Sequence, residues 1–123
     1  MSSRSARHRI TNLRSGRVVA RDARRADSLA ARTRGLLGET MLAEGTGLWL
    51  DPCSSIHMFF MRFAIDVVFL DREQRVTRAV AALAPWRVAF GGRGARSAVE
   101  LPVGSIAASD TRVGDLLSFD PAP

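Results

Sequence analysis

The chain is poor in the residues that usually announce a chemistry. Of its 123 residues one is cysteine, Cys53, and none is lysine. A lone cysteine cannot form an internal disulfide, which argues against a small secreted, cross-linked scaffold. His8 and His57 are the only histidines, and no second Cys-x-x-Cys or His-x-x-x-His follows. A closed structural zinc site needs four Cys or His ligands and is not expected. There is no Gly-rich P-loop, no G-x-G-x-x-G after a strand and no G-x-S-x-G elbow. No run approaches the roughly 18 uncharged apolar residues of a membrane span. The opening MSSRSARHRITNLRSGR lacks an apolar signal-peptide core, so a cytoplasmic protein is expected. No repeat of 20–50 residues is visible.

What is present is arginine. All eighteen basic residues are Arg, and the formal net charge is +6. Residues 1–34 hold ten of them against Asp22 and Asp27, a net of +8, while residues 35–123 carry a net of −2. Such a basic leading segment suits contact with nucleic acid or an anionic surface. No aromatic is interleaved with these arginines to stack on bases, which favours a solvated basic segment instead. A hydrophobic content of 46% fits one globular domain with its own core.

Residues 1–8 read as a disordered basic tail and residues 9–120 as a single domain. Ile10–Leu13 and Arg17–Ala20 flank Ser15-Gly16, a plausible hairpin. Asp27 or Ser28 can cap a helix through Leu37, with Leu29, Thr33, Leu36 and Leu37 at helical spacing. Strands are predicted over Leu48–Leu50, Ile56–Phe63, Val67–Leu70, Arg75–Val80, Trp86–Phe90, Ala98–Leu101 and Leu116–Phe119. Gly91–Gly94 reads as the most flexible internal loop. The expected fold is therefore mainly β (α+β), a compact sandwich or barrel-like domain with one N-terminal helix.

From Ile56 to Leu70 every residue is apolar except His57, Arg62 and Asp66. Charges in so greasy a strip need partners. Alternation along an Ile56–Phe63 strand puts His57, Phe59, Met61 and Phe63 on one face and Ile56, Met58, Phe60 and Arg62 on the other. Arg62 and Asp66, four apart, are expected to meet across a turn as a buried ion pair, or else to anchor a ligand's carboxylate, phosphate or amine. Cys53 and His57 have the C-x-x-x-H spacing of a thiolate with its base, or of half a metal site. The competing reading is a buried cysteine that packs as a small hydrophobe beside a core-edge histidine. Trp86, Arg87 and Glu100 could line a pocket mouth, although Trp is more often packed than exposed. Asp115, after Val113-Gly114, is expected to bond nearby backbone in a tight turn.

Several of these stretches together resemble a known family. Arg34-Gly35-Leu36-Leu37, Gly47-Leu48, Cys53 with Ile56-His57, Phe60-Met61-Arg62 and Ile65–Asp71 are followed in order by Pro85-Trp86-Arg87, Val99–Gly104 and Val113-Gly114-Asp115. The pattern is similar to the "domain of unknown function 192" family of bacterial and archaeal proteins, over roughly residues 10–120. The resemblance implies a compact β-sandwich or barrel-like domain and supplies no catalytic residue. Ala64 stands where the family often has proline, and Met58 where a small hydroxylated residue is frequent.

The function expected on these grounds is a non-catalytic binding domain for a small polar or anionic ligand. Its candidate residues are Cys53, His57, Arg62, Asp66, Trp86, Arg87 and Glu100, with no metal ligand and no cofactor identified. The alternatives are an enzyme using Cys53 and His57, of hydrolase or transferase type, and a nucleic-acid accessory protein using the Arg-rich N-terminus. A monomer or weak homo-oligomer without a membrane span is expected.

Overall fold

A computed structural model describes residues 7–26 and 42–122. Among the described residues nine strands and a short helix follow one another: β1 (Arg7–Asn12), β2 (Val18–Ala26), β3 (Thr46–Leu50), β4 (Ser55–His57), β5 (Ile65–Leu70), β6 (Val76–Leu83), β7 (Val88–Phe90), β8 (Ser97–Leu101), α1 (Ser105–Ser109) and β9 (Leu117–Pro121). Seven strands form one sheet in the order β6-β5-β8-β3-β2-β1-β9, and β4 pairs with β7 in a second, two-stranded sheet. Within the large sheet only β2 and β3 run parallel. Parallel neighbours need a crossover connection, which antiparallel hairpins do not. The helix expected from Asp27 or Ser28 to Leu37 lies outside the described residues; the α-helix among those described is Ser105–Ser109, near the C-terminus. The expected single N-terminal helix is corrected to that extent.

The large sheet curls until its two edges meet at one end. Arg75 bridges Leu116. The Val76 amide donates to the Asp115 carbonyl at 2.8 Å, and the Leu117 amide to the Gln74 carbonyl at 3.0 Å. Ile10, Val19, Ala23, Trp49, Val68, Val76, Val99 and Leu117 fill the inside of the curl, a cluster to which every strand of the large sheet contributes. A second cluster, with Leu48, Leu50, Val67, Phe69 and Ala98, lies on the opposite face and is covered by Ile56, Met58, Met61 and Ala89 of the small sheet and its turn. Strand β5 is consequently buried on both faces, which explains its unbroken apolar run.

The β1–β2 hairpin forms as expected, and β1 begins at Arg7, inside the segment assigned to a tail. The curl is closed at its base by a polar network. Asn12 donates to Asp115 at 2.9 Å, Arg14 grips the same carboxylate through Nε at 2.7 Å and Nη2 at 3.2 Å, and the Arg112 amide adds a bond of 2.8 Å. These donors favour the charged carboxylate. The Arg14 hydrogen bond, the largest influence, outweighs the desolvation that opposes it and holds the Asp115 carboxyl down at about 2, against an ordinary value of 3.8. A depressed folded-state value gives stability that is complete above about pH 4 and is lost as pH falls towards 2. The gap between 3.8 and about 2 corresponds to about 2 kcal/mol. Urea unfolding followed from pH 5 to pH 2 should show this loss in the wild type and a shallower one in Asp115→Asn; equal slopes would remove Asp115 from the account.

Candidate functional site

The strip from Ile56 to Leu70 does not run as two long strands. Strand β4 ends at His57, and the chain turns at once through Met58-Phe59-Phe60-Met61, closed by the Met61 amide on the Met58 carbonyl at 3.2 Å. A second turn, Ala84-Pro85-Trp86-Arg87, is closed in the same way by Arg87 on Ala84 at 3.2 Å. Phe60 (φ 67°) and Trp86 (φ 69°) occupy the third position of their turns in the left-handed region, while Phe59 does not and proline fixes φ near −65°. Both are thus type II turns, whose third position is normally glycine or asparagine. A bulky side chain there costs about 1–2 kcal/mol.

The two turns are stitched together. Met58 donates to the Arg87 carbonyl at 2.8 Å, and Trp86 donates to the Met58 carbonyl at 2.7 Å, continuing the ladder that pairs His57 with Val88. Met58 and Met61 drop into the core, which forces Phe59 and Phe60 outward. The result is a row of rings that starts at the end of the small sheet and crosses the two turns. His57 stacks on Phe59 (4.9 Å, 29°), Phe59 lies 6.0 Å from Trp86, and Trp86 lies 4.9 Å from Phe60. Phe60 is 66% exposed and Trp86 58%, and Val88 and Phe90 extend the same face. Elsewhere among the described residues large exposed apolar side chains, such as Leu13, Val103 and Val113, are scattered along the chain. Clustering of this kind marks interaction surfaces, whereas scattered apolar residues do not.

The two chain segments that build this shelf carry charge of one sign. Residues 52–65 and 84–99 contain Arg62, Arg87, Arg93 and Arg96 and no acid. Arg96 is engaged with Asp51 at 3.0 Å, and the side chains of Arg62, Arg87 and Arg93 belong to exposed residues.

Among the residues selected from sequence, His57, Trp86 and Arg87 come together here, with Arg62 two residues beyond Phe60. The Arg62–Asp66 ion pair does not form. Arg62 is exposed, whereas Asp66 is 1% exposed on the inner side of β5. Its carboxylate accepts the amides of Ala82 (2.9 Å), Gly104 (3.1 Å) and Ile106 (2.9 Å). Ala82 sits at a register shift of the β5–β6 ladder with φ 52°, so its amide points out of the ladder and needs another acceptor. Gly104 and Ile106 begin α1, where amides lack intrahelical partners. Asp66 therefore binds backbone, not a ligand.

Glu100 is fully buried in β8 between Leu48 and Val67, not at a pocket mouth. Cys53 is half-buried against the outer core, its thiol donating to the Ser55 carbonyl at 3.1 Å. Among the described residues no three His, Cys, Asp or Glu side chains converge as metal ligands would, and no helix is long and apolar enough to cross a membrane. A groove of about 370 Å³ lies on the β1–β2 side, lined by Arg9, Arg21, Glu44 and Ser105 among others, and includes none of the selected residues.

The residues missed from sequence are Phe59, Phe60, Val88 and Phe90. Pro85 was the available signal: proline at the second position of a turn places Trp86 where φ is positive and the side chain leaves the ladder. For Phe59-Phe60 there was no comparable signal, because a strand and a tight turn share the same apolar composition there.

The profile of the family described as "Uncharacterized ACR", the domain of unknown function 192, matches residues 10–119. The chain belongs to this DUF192 family. It is similar to a UPF0127 protein of Thermococcus gammatolerans, 36% identical over 116 residues, covering 90% of this chain and 74% of the relative. A UPF0127 protein of Thermococcus kodakarensis is 41% identical over 68 residues, covering 55% of this chain and 43% of the relative. These relatives are archaeal, which corrects any reading of the family as bacterial alone. Two crystal structures share the fold. A protein of unknown function from Novosphingobium aromaticivorans superposes with a TM-score of 0.76 at 21% identity, covering 93% of this chain and 84% of its own. A protein from Sinorhizobium meliloti, provisionally named a transcription regulator, gives 0.77 at 20% identity, covering 97% of both chains. The DUF192 shelf residues Phe60, Trp86 and Arg87 lie within the stretch that the family profile spans.

Proposed function

We propose that this DUF192 protein is a non-catalytic binding module whose ligand lies on the ring shelf of His57, Phe59, Trp86 and Phe60 and carries negative charge. The observation that supports this most is the conformation of Phe60 and Trp86. Both rings are held in the left-handed region and both face solvent. More than half of either residue is exposed, so ring packing does no more than balance that backbone cost and yields no net stability, and strain retained at exposed positions is characteristic of functional sites. The absence of acids from the two segments that build the shelf and the exposed Arg62 and Arg87 favour an anion.

Anilinonaphthalene sulfonate, an anionic two-ring dye, is a suitable probe. Its fluorescence should rise on the wild type at native pH and fall by about tenfold in titration strength with Phe60→Gly/Trp86→Gly, as one or two rings are removed from beneath the dye. Dye binding identical in the wild type and this double variant would refute the shelf as a ligand site. Glycine is chosen because it is the residue these turns prefer.

A further inference from the structure

We infer that the occupant of the shelf is single-stranded nucleic acid, with bases lying on the exposed rings and phosphates on Arg62 and Arg87. The inference rests on the binding-module reading above and adds the class of partner. The first argument is the make-up of the row. Its rings succeed one another at 4.9, 6.0 and 4.9 Å from the end of a two-stranded sheet across the two turns that adjoin it. A strand whose bases are free offers several π-faces in succession to such a row, and a duplex keeps those faces stacked inside itself.

The second argument is charge. Each strongly exposed ring has an arginine close by in the chain, Arg87 next to Trp86 and Arg62 two residues after Phe60. The two segments that build the shelf contain no carboxylate to repel a phosphate. Guanidinium is also the cation best suited here, because it grips phosphate oxygens in pairs and stacks on bases.

A lipid surface is the competing anionic, apolar-loving partner, and the row itself disfavours it. His57 is an integral member, stacked on Phe59. An imidazole stacks on a base as other aromatic side chains do, whereas carrying it into hydrocarbon is unfavourable. The arginines of β1 and β2 belong to the large sheet, and none of them is among the ring contacts that build the shelf.

The test uses the full chain and a short fluorescein-labelled oligothymidylate, with fluorescence anisotropy and Trp86 quenching read together. Trp49 is buried, so quenching reports on the shelf. Single strands should bind more tightly than a duplex of equal length. Trp86→Gly and Phe60→Gly should each weaken binding by about tenfold, the usual consequence of losing a stacked base. Arg87→Ala and Arg62→Ala should each reduce the slope of log affinity against log salt by about 0.7. Circular dichroism of each variant confirms that it is folded. Binding that ignores all four substitutions would overturn the inference, because the strand would then lie elsewhere. Phosphatidylglycerol vesicles binding where the oligonucleotide does not would overturn it too, while leaving the shelf as the ligand site. Failure of both probes alongside dye binding insensitive to the glycine variants would remove the binding-module reading itself.

Discussion

Replacing Asp66 with alanine is expected to lower the unfolding free energy by about 3–5 kcal/mol, while Arg62→Ala leaves it nearly unchanged. Three partly buried amide hydrogen bonds, from Ala82, Gly104 and Ile106, depend on this one carboxylate. A buried donor deprived of its acceptor costs about 1–3 kcal/mol, and water entering the gap offsets part of the total. The loss has two structural consequences at once, since the β6 bulge and the start of α1 share the same anchor. Asp66→Asn should fall between the two, because its oxygen still accepts while its NH2 group must face a donor. Chemical denaturation of the three variants decides the matter. Equal, large losses for Asp66→Ala and Arg62→Ala would instead restore the ion pair that the sequence suggests.

The second large effect concerns Gly91. A methyl group there would lie 2.6 Å from the Phe69 ring and 2.6 Å from the Ala95 methyl. Neither side can move away easily. Phe69 is fully buried in β5, and Gly91 is fixed by its amide on the Ser54 carbonyl at 2.8 Å and by the Thr77 hydroxyl on its own carbonyl at 2.9 Å. Overpacking of this kind costs about 1–3 kcal/mol, and Gly91→Ala should reach the upper part of that range. Gly92 is the control. It has φ +88° and open space around it, so Gly92→Ala should cost only the backbone preference, about 1 kcal/mol. Melting temperatures that fall equally for both would show that Gly91 is not packed as described. The loop expected to be the most flexible thus begins with a residue that the core holds.

The sequence made β5 legible because a run of six apolar-flanked residues buried on both faces looks the same whichever sheet it joins. The β1–β2 hairpin was equally readable from Ser15-Gly16, whereas Asp115 was readable only in its local bond to the Arg112 amide and not in its partners Asn12 and Arg14 from the first hairpin. Asp66 shows the opposite case. Its partners are backbone amides brought in from residues 82, 104 and 106, and amides leave no mark in a sequence. Arg62, four residues away, was the only visible partner and the wrong one. The five-residue α1 is too short to show a helical period, and the parallel β2–β3 pair depends on a crossover that no local signal specifies. The shelf was half visible. Trp86 and His57 stood out by residue type, whereas Phe59 and Phe60 were absorbed into an alternation that the Met58–Met61 turn breaks.

At the centre of this account is the claim that Phe60 and Trp86 serve a partner and not the core. Thermal and urea unfolding of Trp86→Gly, measured beside its dye binding, tests it most directly. Relief of the left-handed backbone should balance the missing ring packing against Phe59 and Phe60, leaving stability within about 1 kcal/mol of the wild type while binding drops. A loss of about 3 kcal/mol or more, as when a buried aromatic is emptied from a core, with dye binding intact, would contradict it.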